Sequence, residues 1–335
     1  MLETKSHIAL SIMHMPLWRK ANLLRLSQLE SCLNEFNGWP LVDKVYTQSI
    51  SENINIIIPK SAEYPLLLKT INDFPVVLFC KGDISLLSSL CFAAVGSRNL
   101  SSYGKVIVSR FIPKLVEAGL CIVSGLARGV DAEVHKITLK SKGKTIAVLG
   151  SGIDIVTPMQ NKNIYEQIIK EGGLIISEYP LGTEGTKWTF PQRNRIIAGL
   201  SQGVLVVEAG EKSGSLITAS LASGYGRDVF AVPGPINSNM SVGVNNLMKR
   251  GAIIATGPED ILEQYGLLIK NRTKEKPKLS DNAQCVLGRI LSQGVDLNEL
   301  LLSSGIPMAG LLKGLDELEH AGYIGKDNFG IYYLN

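Results

Sequence analysis

The stretch Cys91-Phe-Ala-Ala-Val-Gly-Ser-Arg98 combines a short apolar run with a glycine turn and a cation. The same kind of unit returns at Leu120-Cys-Ile-Val-Ser-Gly125 and at Thr145-Ile-Ala-Val-Leu-Gly150. Apolar runs of four or five residues, separated by segments long enough for a helix, are typical of buried parallel strands joined by crossover helices. The sequence therefore predicts an α/β fold with a doubly wound, mostly parallel sheet.

Four more apolar runs continue this pattern at 174–176, 204–207, 229–232 and 252–255. Right-handed crossovers bring the carboxyl ends of such strands to one edge of the sheet, where ligands of these folds bind. We therefore expect the functional residues to follow the strands.

The rest of the chain divides around this repeat. Residues 1–60 have mainly helical patterns and predict a small helical N-terminal region, and residues 61–270 form the predicted domain with the parallel sheet. Residues 271–280 are polar, charge-dense and interrupted by a proline, which predicts a linker. Residues 281–335 show three helical patterns followed by a hairpin pattern, which predicts a winged-helix domain.

Composition narrows the class of protein. The chain has 335 residues, 45% of them hydrophobic and 19% charged, so it can bury a core and is not a disordered protein. No apolar run approaches the ~18 residues of a membrane span. The five cysteines form no Cys-x-x-Cys pair, so we expect neither a disulfide framework nor a zinc site, and a cytoplasmic location.

Charge is distributed unevenly along the chain. Residues 81–270 carry 20 basic and 15 acidic side chains, whereas residues 281–335 carry 3 basic and 7 acidic ones. A polyanion should therefore meet the middle of the chain and not its tail.

Several groups that suit anion binding follow the predicted strands. Gly96-Ser97-Arg98 offers backbone N–H groups and a guanidinium beside a helix start. Ser213-Gly214-Ser215 opens another predicted helix and adds hydroxyl donors, and Lys162 begins a third.

Cations alternate with aromatic rings in Lys187-Trp-Thr-Phe-Pro-Gln-Arg-Asn-Arg195. This alternation suits single-stranded nucleic acid, because cations follow the phosphates while rings stack on bases. Pro191 is expected to fix a turn before the next helix and to leave Phe190 outside regular structure. Arg193 and Arg195 lie ~200° apart on a helix, so one of them is expected to be structural.

Six blocks between about 64 and 265 resemble the DNA-processing protein A (DprA/Smf) family. They are Val95-Gly-Ser-Arg98, Ser124-Gly-Leu-Ala-Arg-Gly-Val-Asp131, Leu149-Gly-Ser-Gly-Ile-Asp154, Phe190-Pro-Gln-Arg-Asn-Arg-Ile-Ile-Ala-Gly-Leu-Ser201, Ser213-Gly-Ser215 and the segment from Pro233-Gly234 to Gly251-Ala252. The resemblance implies that residues 61–270 form an extended Rossmann-like domain, which binds single-stranded DNA as a homodimer. It also implies that the protein acts in natural transformation and recombination, protects incoming strands and helps load the RecA recombinase. It implies no cofactor and no reaction.

The blocks and the pattern together give the expected functional residues. The predicted DNA-binding set is Gly96, Ser97, Arg98, Gly125, Lys162, Lys187, Phe190, Arg193, Asn194, Arg195, Ser213, Gly214 and Ser215. The resemblance places self-association at Leu247, Ile253 and Ile254. No catalytic or metal-binding residue is predicted, the N-terminal region is given no DNA role, and the acidic tail is expected to contact protein.

Two other functions remain open. A nucleotide-binding phosphoribohydrolase-like enzyme could use a related sheet, although the turn from Glu208 to Thr218 lacks the Pro-Gly-Gly pattern and the following Glu of such enzymes. A pure protein-interaction scaffold is the other alternative. Gel retardation of a labelled oligonucleotide would support the DNA-binding interpretation, whereas release of base from nucleoside monophosphates would support the enzyme.

Overall fold

The computed structural model describes residues 2–267, 279–290, 295–321, 323–326 and 330–334. The chain divides into two compact units, Met1–Leu268 and Ile269–Asn335. Most of the predicted linker, residues 271–278, lies outside the described residues. No helix in the described ranges is long and apolar enough to cross a membrane.

Four helices precede the sheet in the first unit. They are α1 (Leu2–Ile12), α2 (Leu17–Arg25), α3 (Leu29–Leu33) and α4 (Trp39–Ser51). Ile8 and Leu10 of α1 and Val45 of α4 share a buried cluster with Phe79 and Ile175. The N-terminal helices therefore pack on one face of the sheet.

The first unit contains a nine-stranded sheet. Its strands are β1 (Asn55–Ile57), β2 (Leu78–Gly82), β3 (Cys91–Val95), β4 (Cys121–Ser124), β5 (Thr145–Leu149), β6 (Leu174–Ser177), β7 (Gly203–Val206), β8 (Asp228–Ala231) and β9 (Ile253–Ile254). The seven strands from β3 to β9 pair in parallel, and β1 and β2 are antiparallel additions beside β6. The predicted mostly parallel α/β fold is confirmed.

The strand order is β1-β2-β6-β5-β4-β3-β7-β8-β9. From β3 the chain builds outward through β4, β5 and β6, and then returns to the other side of β3 to add β7 and β8. The loops that leave β3 and β7 therefore diverge, which opens a crevice at the carboxyl ends of these two neighbouring strands.

Both faces of the sheet are covered. In β3, Ala93 and Val95 belong to the cluster on one face, whereas Phe92 and Ala94 belong to the cluster on the other. Alternate residues of a strand point to opposite faces, so an uninterrupted apolar run requires burial on both. This explains why the strands are visible in the sequence as short apolar runs without alternation.

Helices connect the strands. They are α5 (Leu66–Lys69), α6 (Ser102–Glu117), α7 (Val130–Lys140), α8 (Lys162–Lys170), α9 (Thr189–Leu200), α10 (Ser215–Gly224), α11 (Val242–Lys249) and α12 (Pro258–Gln264). In α6, Ile107, Phe111 and Leu115 recur every fourth residue and are buried against the sheet.

In its described residues, the second unit contains three helices and a pair of strands. These are α13 (Asp281–Leu287), α14 (Leu297–Ser304), α15 (Met308–His320), β10 (Ile324–Lys326) and β11 (Tyr332–Leu334), with β10 and β11 antiparallel. Val286, Leu300, Leu311 and Leu315 share its core. Residues 327–329, at the centre of the predicted hairpin, lie outside the described residues, and the winged-helix assignment stays a prediction.

Candidate functional site

A cleft of about 420 Å³ opens where the loops after β3 and β7 diverge. Its walls come from these two loops and from the first turns of α9 and α10. Nine of the thirteen predicted DNA-binding residues line it, namely Gly96, Ser97, Arg98, Phe190, Arg193, Asn194, Ser213, Gly214 and Ser215. The other four, Gly125, Lys162, Lys187 and Arg195, do not.

Arg98 and Phe190 form a cation–aromatic pair at this cleft. Arg98 is exposed, and its guanidinium carbon lies 5.7 Å from the centroid of the Phe190 ring. The ring is half-buried and lies so close to Gly150 and Gly185 that a side chain on either glycine would collide with it. The glycines therefore provide the space in which the ring lies, and the ring and the guanidinium both contribute to the wall.

The structure corrects the expected position of Phe190. Helix α9 begins at Thr189, so both Phe190 and Pro191 lie inside its first turn. Proline is tolerated there because the first N–H groups of a helix have no partner within the helix. Phe190 is therefore held by regular structure and not by a turn.

The start of α10 forms the opposite wall. The hydroxyls of Ser213 and Ser215 lie 2.8 Å apart, and the Ser215 N–H donates to the Ser213 hydroxyl over 3.4 Å. The side-chain amide of Asn194 donates to the Gly214 carbonyl over 3.3 Å. Asn194 thus ties α9 to α10, and the positive end of the α10 dipole faces the cleft.

The start of α6 does not serve as the expected anion site. The carboxylate of Glu208 accepts hydrogen bonds from the N–H and the hydroxyl of Ser101, the residue that caps this helix. The Ser97 N–H donates to the Glu208 carbonyl, and the Asn99 N–H donates to the Ser97 hydroxyl. Because an internal carboxylate occupies this helix end, the exposed guanidinium of Arg98 is the group of the β3 loop that is left to face an anion.

Arg193 is a structural residue, contrary to its predicted role. It is 4% exposed, and one of its guanidinium nitrogens donates to the carbonyls of Gly125, over 2.5 Å, and Val148. A side chain at Gly125 would collide with this guanidinium. Gly125 therefore lies behind Arg193, where it makes room for the arginine and does not face the cleft.

Arg193 shares its buried environment with Asp131. The Asp131 carboxylate accepts hydrogen bonds from the N–H groups of Gly125 and Ala127. Burial raises the pKa of Asp131, against the opposing effects of Arg193 and these N–H groups. Burial also lowers the pKa of Arg193 to about 10, so the guanidinium is still charged at neutral pH. The pair links β4, β5, α7 and α9 beneath the cleft.

Arg195 lies on the opposite side of α9, away from the cleft, contrary to its predicted place in the DNA-binding set. It is 2% exposed and pairs with Glu178, and its Nε lies 3.6 Å from an Asp73 carboxylate oxygen. Of the two arginines, one was expected to be structural. Both are buried, Arg193 with hydrogen bonds to two carbonyls and Arg195 with two carboxylates nearby.

The two predicted lysines lie outside the cleft. The ammonium of Lys162 lies 3.8 Å from a Glu166 carboxylate oxygen, and both side chains are well exposed. Lys187 is also exposed, and its ammonium lies 5.2 Å from the centroid of the Trp188 ring. These lysines can act only on parts of a ligand that extend beyond the cleft.

Sequence reasoning missed several lining residues, among them Asn99, Lys212, Ile217 and Met240. Lys212 is exposed and immediately precedes Ser213. Its place beside the predicted Ser213–Ser215 loop could therefore have identified it as a cleft residue. Met240 is brought to the cleft by tertiary structure. The Ala209 N–H donates to the Met240 carbonyl, although the two residues are 31 positions apart in the sequence. No local pattern predicts that contact.

These features define an α/β protein of the Rossmann-like type, with a cleft at the switch point of its sheet that presents cations, hydroxyls and an aromatic ring. The model of one family, DNA recombination-mediator protein A, matches residues 55–266. The chain belongs to this family.

Curated relatives support the same assignment. The chain is 40% identical to protein Smf of Escherichia coli over 278 residues, which covers 80% of this chain and 74% of that protein. It is 46% identical to the DNA processing protein DprA of Streptococcus pneumoniae over 202 residues, covering 60% of this chain and 71% of that one.

Two solved structures are similar. DNA processing protein A of Streptococcus pneumoniae is 39% identical, with a TM-score of 0.62. The match covers 75% of this chain and 87% of that one. DNA processing protein A of Helicobacter pylori, described for its single-stranded DNA binding mode, is 30% identical with a TM-score of 0.57. This match covers 63% of this chain and 95% of the Helicobacter pylori chain.

Proposed function

We propose that this protein binds single-stranded DNA in the cleft between the β3 and β7 loops, as part of DNA processing in recombination and natural transformation. The observation that carries the proposal is the exposed guanidinium of Arg98 beside the half-buried ring of Phe190, across from the start of α10. A phosphate can meet Arg98 and Lys212 while a neighbouring base stacks on the ring.

The shape of the cleft favours a single strand over a duplex. Phe190 lies in a concave site of about 420 Å³ and is half-buried. In a duplex each base is stacked and paired, so its face is not available to such a ring unless the base leaves the helix. A single strand offers unstacked bases at a lower cost.

A binding protein fits the cleft better than an enzyme does. Asp131 is the one carboxylate among the lining residues, all of which the structure describes, and it is held by two backbone N–H groups beside Arg193. A glycosidic cleavage needs a carboxylate free to act as acid or base. We propose no catalytic role and no cofactor.

Fluorescence-anisotropy titrations of labelled single-stranded and duplex DNA test this proposal. We expect tighter binding of the single strand, with no need for magnesium or nucleotide, because the site offers cations and a ring. Equal or tighter binding of duplex contradicts it. Release of base from nucleoside monophosphates would instead support the phosphoribohydrolase alternative.

We also propose that the protein forms a homodimer through the β9 edge of the sheet. Among the residues that the structure describes, strand β9 pairs with β8 alone. Ile254 on this strand is 55% exposed, while Ile253 and the nearby Leu247 are half-buried. An edge strand with an exposed aliphatic side chain is a ready surface for a second copy. Two clefts on one particle raise the avidity for a strand long enough to reach both.

Replacing Leu247 with arginine should give a monomer, because a C2 interface would bury the new charge twice. We expect weaker binding of long single strands and a smaller change for short ones. Light scattering of the wild type and the variant, followed by titrations with two oligonucleotide lengths, checks this. A wild type that is monomeric at tens of micromolar rules the dimer out.

We further propose that the protein helps to load RecA on the strand it protects, and that it acts in the cytoplasm. The proposal rests on membership of the recombination-mediator family. Residues 281–335 carry 7 acidic and 3 basic side chains, which suits a protein contact better than a phosphate backbone. We assign the proposed winged-helix domain to that kind of contact.

A further inference from the structure

Trp188 is the most exposed of the aromatic side chains near the cleft, at 69%. It does not line the cleft, and the proposed function does not use it. A single exposed ring is normal on a protein surface, but Trp188 is distinguished by its neighbouring cation Lys187 and by its place at the start of α9, the helix that carries Phe190.

The backbone around Trp188 is held firmly. The N–H groups of Trp188 and Thr189 both donate to the Thr186 hydroxyl over 3.2 Å, and the Thr186 N–H donates to the Thr189 hydroxyl over 2.8 Å. The Phe190 N–H then donates to the Thr186 carbonyl. The exposed ring is therefore presented by a pre-organised turn, which lowers the cost of ordering it on a ligand.

Trp188 and Phe190 face different sides of α9. Trp188 caps the helix with helical dihedral angles, and two residues turn a helix by about 200°. Phe190 and Asn194 face the cleft, whereas Gln192 and Arg195 face the N-terminal helices. Because Trp188 lies four residues before Gln192, it shares that second side. The two rings cannot sandwich one base.

Each ring has its own cation. The Lys187 ammonium lies 5.2 Å from the Trp188 centroid, as the Arg98 guanidinium lies 5.7 Å from the Phe190 centroid. Lys187 forms no ion pair with any residue in the described part of the chain, so its charge is available to a phosphate.

We propose that Trp188 is a second stacking platform, which holds a different base of the same strand outside the cleft. The strand leaves the cleft at Phe190, crosses the first turn of α9 and places a later base on Trp188, with Lys187 against a phosphate. This inference rests on the proposed function, and it extends the DNA path from the cleft toward the side of the sheet that carries the N-terminal helices.

The test compares Trp188→Ala with Trp18→Ala, titrated with a labelled single-stranded oligonucleotide of about 20 thymidines. Trp18 is a matched control, because it is 56% exposed and lies on α2. We expect Trp188→Ala to weaken binding about 5- to 150-fold, the range for one lost stacked base, and Trp18→Ala to bind like the wild type.

Tryptophan fluorescence separates stacking from a structural effect. The chain has three tryptophans, and a stacked base should quench Trp188 in the wild type. In Trp188→Phe the quenching should disappear while binding stays within about threefold of the wild type, because the phenyl ring still stacks.

The possible outcomes are distinct. If the wild type does not bind the strand, the proposed function fails and this inference fails with it. If the wild type binds but Trp188→Ala binds within twofold of it, or quenching persists in Trp188→Phe, only the second platform is overturned.

Discussion

Replacement of Arg193 by leucine is expected to lower the free energy of unfolding by about 3–5 kcal/mol, the cost of leaving a buried charge without the opposite charge near it. Arg193 is 4% exposed and donates to two carbonyls, those of Gly125 and Val148. Leucine leaves these carbonyls without a donor and leaves the Asp131 carboxylate buried without a cation. Urea denaturation followed by circular dichroism measures the loss.

The best control changes the same residue type where it is exposed. Arg98→Leu lies at the same cleft but on the surface, so its unfolding free energy should stay within about 0.5 kcal/mol of the wild type. The double variant Arg193→Leu with Asp131→Asn should lose less unfolding free energy than the two single variants lose together, because it removes both charges. If Arg193→Leu lowers the free energy of unfolding by less than about 1 kcal/mol, Arg193 does not have this structural role.

Replacement of Phe190 by alanine is expected to weaken binding of single-stranded DNA by about 1–3 kcal/mol, with little change in the salt dependence, because stacking involves no counterion release. The ring also packs over Gly150 and Gly185, so this variant should lose some thermal stability as well. Anisotropy titrations and thermal melts record the two effects separately.

Phe190→Leu distinguishes stacking from packing. Leucine still fills the space above Gly150 and Gly185 but offers no flat aromatic face. We expect it to melt near the wild type while binding about as weakly as Phe190→Ala. If both variants bind like the wild type, the base does not rest on this ring.

The sheet could be predicted from the sequence because each strand is short, apolar and buried on both faces. The run at 91–95 coincides with β3, and the one at 145–149 coincides with β5. The position of the crevice was not predicted. It depends on the order of strands, in which β7 returns to the side of β3, and that order is a property of long-range pairing.

The residues that line the cleft were predicted in part, and the arginines that were placed wrongly share one cause. Arginines in a cationic and aromatic segment suggest ligand contacts, yet Arg193 binds carbonyls 45 and 68 residues away and Arg195 pairs with Glu178. Likewise, Glu208 reaches back 107 residues to occupy the start of α6. Spacing along the chain reports which residues share a helix face, but it does not report which distant groups surround them.

The central claim is that a DNA phosphate binds Arg98 at the cleft. The most direct measurement is the affinity for single-stranded DNA at four or more salt concentrations, for the wild type, Arg98→Ala and Arg110→Ala. Arg110 is an exposed arginine of α6 that does not line the cleft, so its removal should leave the salt slope unchanged. Arg98→Ala should bind more weakly, with a log–log slope shallower by about 0.7, the value of one phosphate contact on a single strand. An Arg98→Ala protein that binds like the wild type at every salt concentration would contradict the account.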